Sequence, residues 1–161
     1  MEKEANYKTE IEKNQVISFV PRGNSMWPIL KNRGQSVIVR KKTSEERLGV
    51  YAVAFYEREN GAFVLHRVLK VCENGYIFCG DSQFDLEFVK EEQIFGVLDG
   101  FYQGKKYINV TDTAYFKKVE RWYKRKNWRK IRIKSFNFKN RVVGKLKRIV
   151  KKMLKKEDKN V

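Results

Sequence analysis

The sequence holds one histidine and two cysteines, and no window approaches the roughly 18–20 apolar residues that a bilayer-spanning helix needs. Each scarcity removes a class of protein. Two cysteines and one histidine fall short of the four ligands of a structural zinc site, so neither a metal nor another cofactor is expected. Residues 1–15 are polar and highly charged, without the apolar stretch of a secretory signal peptide. With no export signal, Cys72 and Cys79 are expected as free thiols. A disulfide would need the hairpin at Asn74-Gly75 to bring them diagonally onto one face.

Acidic residues are scarce at one end only. Residues 115–161 carry 20 Lys and Arg against 3 Asp and Glu, a net of +17. The whole chain of 161 residues is also +17, so residues 1–114 are neutral overall. Such asymmetry points to an anionic partner for the tail, either lipid or nucleic acid.

Short apolar stretches separated by Gly and Asn turns run through the neutral part. Strands are predicted over residues 16–20, 36–40, 51–56, 62–71, 76–79, 94–102 and 106–110. The expected fold is mainly β, a coiled sheet or partly open barrel, followed by basic C-terminal helices. Residues 1–14 are expected to be a flexible start, 15–112 the β-rich domain and 113–161 a basic amphipathic helical tail. The tail begins at the helix-start signal Thr111-Asp112-Thr113. Tyr115, Val119 and Trp122 then recur at helical spacing, which also suits a helix packed on its own core. Residues 131–138 alternate and give no secure assignment. From Val142 a helical period is clear. Val142, Leu146, Ile149 and Met153 share one face, and cations such as Lys145, Arg148 and Lys152 fill the remainder.

Chemistry concentrates in two places. Ser25 lies in Gly23-Asn24-Ser25-Met26-Trp27-Pro28, a run that suits a nucleophile on a tight loop. Serine needs a base to become nucleophilic, and the one imidazole is His66, within the strand-like Leu65-His66-Arg67-Val68. A loop serine and a strand histidine about forty residues apart suggest a dyad assembled by a β fold. His66 would serve as general base and then as general acid to the leaving amine. The group that orients the imidazole should be a carboxylate. Asp81, Asp85 and Glu87 are candidates. The backbone N–H of Ser25, aided by the loop from Gly23 through Asn24 to Met26, is the expected oxyanion donor.

These residues resemble a known family. Residues 22–30, Arg-Gly-Asn-Ser-Met-Trp-Pro-Ile-Leu, are similar to the nucleophile motif of the superfamily that joins type I signal peptidases and self-cleaving SOS-type repressors. Residues 64–71, Val-Leu-His-Arg-Val-Leu-Lys-Val, resemble its second box. Most bacterial members carry lysine where His66 stands, and the endoplasmic-reticulum type carries histidine. Gly80-Asp81-Ser82 resembles the Gly-Asp-Asn box that closes the site. In the endoplasmic-reticulum type the orienting aspartate lies several residues after that box; the spacing here is shorter, and the resemblance implies Asp85 first and Asp81 second. The likeness spans roughly the first two thirds of the chain. Departures are Gly23, where many signal peptidases place serine, and Gly34-Gln35 and Gly49-Val50, where Gly-Asp is usual. The 24 residues before Ser25 include neither a membrane anchor nor room for a DNA-binding domain.

The resemblance implies the signal-peptidase fold and a serine endopeptidase that binds an extended peptide as an added strand and cuts after small residues. The expected location is cytoplasmic, with peripheral attachment to an anionic membrane through the tail. A leader peptide or a membrane-proximal protein is then the expected substrate. The tail aromatics, Trp122 and Trp128 among them, would also suit stacking on nucleic acid. The rival expectation is a non-catalytic module of the same fold whose basic tail holds nucleic acid or a protein partner.

Overall fold

The computed structural model describes residues 6–31 and 35–157, except the side chains of residues 6 and 149–157. Two compact units divide at Arg121/Trp122, about ten residues beyond the boundary expected from the sequence.

The first unit is an antiparallel sheet with flanking helices. Helix α1 (Asn6–Asn14) leads into β1 (Val16–Phe19) and β2 (Val37–Lys41). There follow β3 (Val53–Glu57), β4 (Phe63–Cys72), β5 (Gly75–Cys79), β6 (Glu87–Lys90), β7 (Ile94–Gln103) and β8 (Lys106–Asn109). Helix α2 (Thr113–Lys124) follows. The eight strands run in the order β1-β2-β7-β3-β4-β5-β6, with β8 paired to β7, and the sheet does not close. The ten-residue β7 holds it together: its first half pairs β3, its second half β8, and β2 runs along its other edge.

Strand β3 is buried on both faces, as its sequence Val-Ala-Phe-Tyr requires when alternate residues point to opposite sides. Ala54 and Tyr56 join Leu48, Val68, Phe78 and Val97 in one core. Phe55 points the other way, into a cluster of aromatic rings with Tyr7, Phe19, Phe63 and Phe95 at centroid separations of 4.9–5.8 Å. Tyr7 and the fully buried Ile11 come from α1. Gly96 clears the way for this helix. A Cβ there would come 2.5 Å from Val39 Cγ1 and 3.1 Å from Ile11 Cδ1.

Helix α1 departs from the flexible start expected for residues 1–14. Only two apolar residues, four apart, mark it in the sequence, and a nine-residue helix draws its stability from tertiary packing rather than propensity. Residues 1–5 lie outside the described part. Strand β6 is the other unanticipated element. The hairpin between β4 and β5 also differs: Cys72 pairs with Gly75, so Glu73 and Asn74 form the loop. Cys79 pairs with Arg67, five residues up β4 from Cys72, and both cysteines are free.

The second unit is dominated by α3 (Lys126–Glu157), which absorbs the alternating stretch 131–138. Within it the Trp122 and Trp128 rings meet edge-on at 6.1 Å, and the Arg132 guanidinium lies 4.9 Å from the Trp128 centroid. Among the described residues no helix is long and apolar enough to cross a membrane.

Candidate active site

Ser25 and His66 line one cavity of about 240 Å³, together with Gly23, Met26, Lys31 and Arg58. The loop that carries Ser25 crosses from β1 to β2, and His66 sits near the start of β4. No hydrogen bond joins the two residues. In unliganded enzymes such contacts are often long and tighten only when substrate binds.

The Ser25 loop is held from below by the segment that leaves β5. The Ser82 backbone N–H donates to the Ser25 carbonyl at 2.8 Å. The Ser82 hydroxyl lies 2.7 Å from the Asn24 carbonyl and 3.1 Å from that of Ser25. The Trp27 N–H closes a turn onto the Asn24 carbonyl at 3.0 Å. Gly80 is needed at this crossing. An added Cβ would stand 2.8 Å from the Ser25 carbonyl oxygen, a backbone atom that cannot step aside. The Ser25 backbone N–H makes no hydrogen bond among the described residues.

Asp81 is engaged elsewhere. Its two oxygens accept from Arg67 Nε at 2.7 Å and Nη2 at 2.8 Å. The remaining guanidinium donors reach the Tyr51 carbonyl at 2.8 Å and the Tyr115 hydroxyl at 3.2 Å. Neither Asp81 nor Arg67 has exposed side-chain surface. Asp85 lies on the exposed connection to β6. Neither aspartate is hydrogen-bonded to the imidazole in this structure. The buried Arg67 binds both oxygens of Asp81, and the His66 Nδ1 atom faces the Tyr56 hydroxyl at 3.2 Å.

Tyr56 follows from register. Ala54 pairs with His66 across β3 and β4, so Tyr56, two residues on, is its diagonal neighbour on the same face. The Tyr56 hydroxyl donates in turn to Glu87 Oε2 at 2.9 Å. Arg58 grips Glu87 with two bonds of 2.6 Å, from Nε and Nη2. These bonds hold the Glu87 carboxyl below its ordinary range, and burial together with Glu87 keeps the Tyr56 phenol protonated. Burial, reinforced by the Arg58 charge, pushes the His66 pKa down to about 4, against partial opposition from Glu87 and Asp81. The imidazole is thus neutral at pH 7, with its proton available for assignment.

Tyr56 and Arg58 were not among the residues singled out by sequence, and Arg67 and Ser82 stood inside the quoted motifs without a role of their own. Arg67 carried a visible signal: a charge inside an apolar strand needs a buried partner, and only a carboxylate satisfies it. Nothing in the sequence separates Tyr56 from any aromatic strand residue.

The edge of β4 beside the cavity is open. Val68 exchanges bonds with Tyr51 and Ala52 through both its N–H and its C=O, so the even-numbered residues of this stretch face β3. Phe63, Leu65 and Arg67 turn their backbone groups outward. Arg67 meets Cys79, the last residue of β5, and the partnering strand ends there. Among the described residues, Phe63 and Leu65 therefore present unpaired strand edge to the cavity that contains Ser25.

No protein-family model matches the chain, and no curated protein matches it either. The likeness to signal peptidases rests on the three sequence motifs alone.

In α3, Val142 and Leu146 are exposed, as are Trp128, Ile131 and Phe138. At 100° per residue these five lie within about 40° of one line, on which Ile149 and Met153 also fall. Lys145 and Arg148 are exposed beside them. The roles expected of the Ile149, Met153 and Lys152 side chains lie outside the described residues. The reading of Tyr115 and Val119 as core positions holds: both are buried.

Proposed function

We propose that the protein is a serine endopeptidase of the signal-peptidase type, with Ser25 as nucleophile and His66 as base. The observation that carries this reading is the convergence of Ser25 and the chain's one imidazole on the same cavity, beside an open strand edge. An extended peptide would add to Phe63 and Leu65 as a further strand, with its scissile carbonyl over Ser25. Ser25 Oγ attacks that carbonyl carbon while His66 Nε2 takes the hydroxyl proton. The Ser25 N–H stabilises the oxyanion. Collapse breaks the C–N bond and His66 returns the proton to the leaving amine. Water, activated by the same nitrogen, then releases the acyl group from Ser25.

The test is covalent. A fluorophosphonate probe should label Ser25 in the full chain, and Ser25→Ala should abolish labelling. A folded chain that the probe never labels would favour the second reading, a non-catalytic module of the same fold. The missing hydrogen bond between Ser25 and His66 is the observation on that side.

We also infer peripheral attachment to an anionic membrane through α3. The exposed stripe from Trp128 to Leu146 with flanking cations has the composition of an interfacial helix. Nucleic acid would use the charge and leave the stripe idle, whereas an anionic membrane would use both. A cytoplasmic location and a leader-like or membrane-proximal substrate belong to this proposal.

A further inference from the structure

We propose that Glu87, acting through Tyr56, is the device that fixes His66 as the Nδ1–H tautomer and so leaves Nε2 as the basic nitrogen. The inference deepens the peptidase reading, on which its catalytic meaning rests, but the tautomer itself can be measured without any catalysis.

Proton accounting carries it. The Tyr56 phenol has one hydrogen. Glu87, clamped by Arg58 through both oxygens, is a carboxylate and can only accept, so the phenol hydrogen lies on the Glu87 bond of 2.9 Å. The Tyr56 oxygen can then meet His66 Nδ1 only as an acceptor, which requires the proton on Nδ1. A neutral imidazole has one N–H, so Nε2 keeps its lone pair. The arrangement performs the task that a directly bonded aspartate performs in a serine triad, with a phenol inserted between carboxylate and imidazole. Every member sits on a strand or its immediate extension: Tyr56 on β3, Arg58 just after it, His66 on β4 and Glu87 at the start of β6. Such placement holds geometry better than a loop would. Besides Tyr56, the charged groups facing His66 are Arg58, Glu87 and Asp81. Lys31 lines the same cavity.

As tetrahedral intermediates form, His66 becomes an imidazolium. The relay then offers it a polarised oxygen at Nδ1, backed by a full negative charge one bond further away. Tyr56 and Glu87 are positioning residues on this account, since neither lines the cavity.

The single histidine makes the test direct. In ¹⁵N-labelled full chain, long-range ¹H–¹⁵N correlation of the one imidazole should report Nδ1 protonated and Nε2 unprotonated at pH 7. Tyr56→Phe should shift the population toward the Nε2–H form. Glu87→Gln frees the phenol to donate to Nδ1 and should produce the same shift, so it carries the test if Tyr56→Phe fails to fold. A wild-type imidazole protonated on Nε2, or a tautomer unmoved in a folded variant, would overturn the proposal. Fluorophosphonate labelling of Ser25 should slow by about ten- to a hundredfold in Glu87→Gln, short of the ~10⁴-fold loss seen when a directly bonded carboxylate is replaced. The expected tautomer in a chain that never labels would support the relay and reject the peptidase reading. Labelling that is unchanged when the tautomer shifts would reject the relay's catalytic role.

Discussion

Arg67 and Asp81 form a doubly hydrogen-bonded ion pair with no exposed side-chain surface, and each is the chain neighbour of a group on which the site depends. Arg67 follows His66, and Asp81 precedes Ser82. The pair therefore ties the histidine strand to the segment that supports the Ser25 loop. Breaking a buried pair strands a charge, at a cost of about 3–5 kcal/mol. Asp81→Asn should lower stability in urea by about that amount. Asp85→Asn, at an exposed position, should change stability by under about 0.5 kcal/mol and leave Ser25 labelling at the wild-type rate. A stable Asp85→Asn chain that labels orders of magnitude more slowly would restore Asp85 as the orienting group.

Ser82 should matter more to reactivity than to stability. Ser82→Ala removes the hydroxyl shared by the Asn24 and Ser25 carbonyls but keeps the backbone bond, a loss of about 1 kcal/mol. The expected outcome is faster hydrogen exchange at the Trp27 amide, which closes the loop turn, and slower labelling of Ser25 in a chain that still folds. Gly80→Ala should do more harm, because its Cβ would collide with the Ser25 carbonyl.

Acid should begin to destabilise the fold through His66. His66 has a folded pKa of about 4 against an ordinary 6.5. Between those values the unfolded chain binds a proton that the folded chain refuses. Stability is thus undiminished above pH 6.5 and falls as pH drops toward 4, at a limiting slope of about 1.4 kcal/mol per pH unit. Urea midpoints at pH 7, 6 and 5 should show this decline, and His66→Gln should flatten it. Glu46 and Glu87, held below the ordinary carboxylate range by Arg40 and Arg58, add their own losses only at lower pH. Reactivity should follow the same group, with no acid limb in Ser25 labelling near pH 6.5.

Attachment to membrane should have two components. Each cation near an anionic leaflet contributes about 1 kcal/mol before screening. Flotation with phosphatidylserine vesicles should therefore weaken in high salt without vanishing, since the apolar stripe remains. Val142→Asp with Leu146→Asp should remove the salt-resistant part and spare some binding at low salt. A chain that ignores vesicles but binds single-stranded nucleic acid would replace the membrane reading with the stacking one.

Local pattern made seven of the eight strands legible, because alternation and Gly/Asn turns are properties of short segments. It also singled out Ser25 and His66, a serine in a short Gly-Asn-Ser-Met run and the one imidazole, which line a common cavity. The helical period after Val142 and the lopsided charge were equally plain. What only tertiary structure decided is which side chains face each other. Helix α1 exists because Tyr7 and Ile11 find an aromatic face prepared by strands far along the chain. Asp81 belongs to Arg67, and Glu87 to Tyr56, through registers between β3, β4, β5 and β6. A slip of one residue in any of them would turn the side chains to the other face. The pattern within a strand states which residues share a face, and the pairing of strands states which of those residues meet.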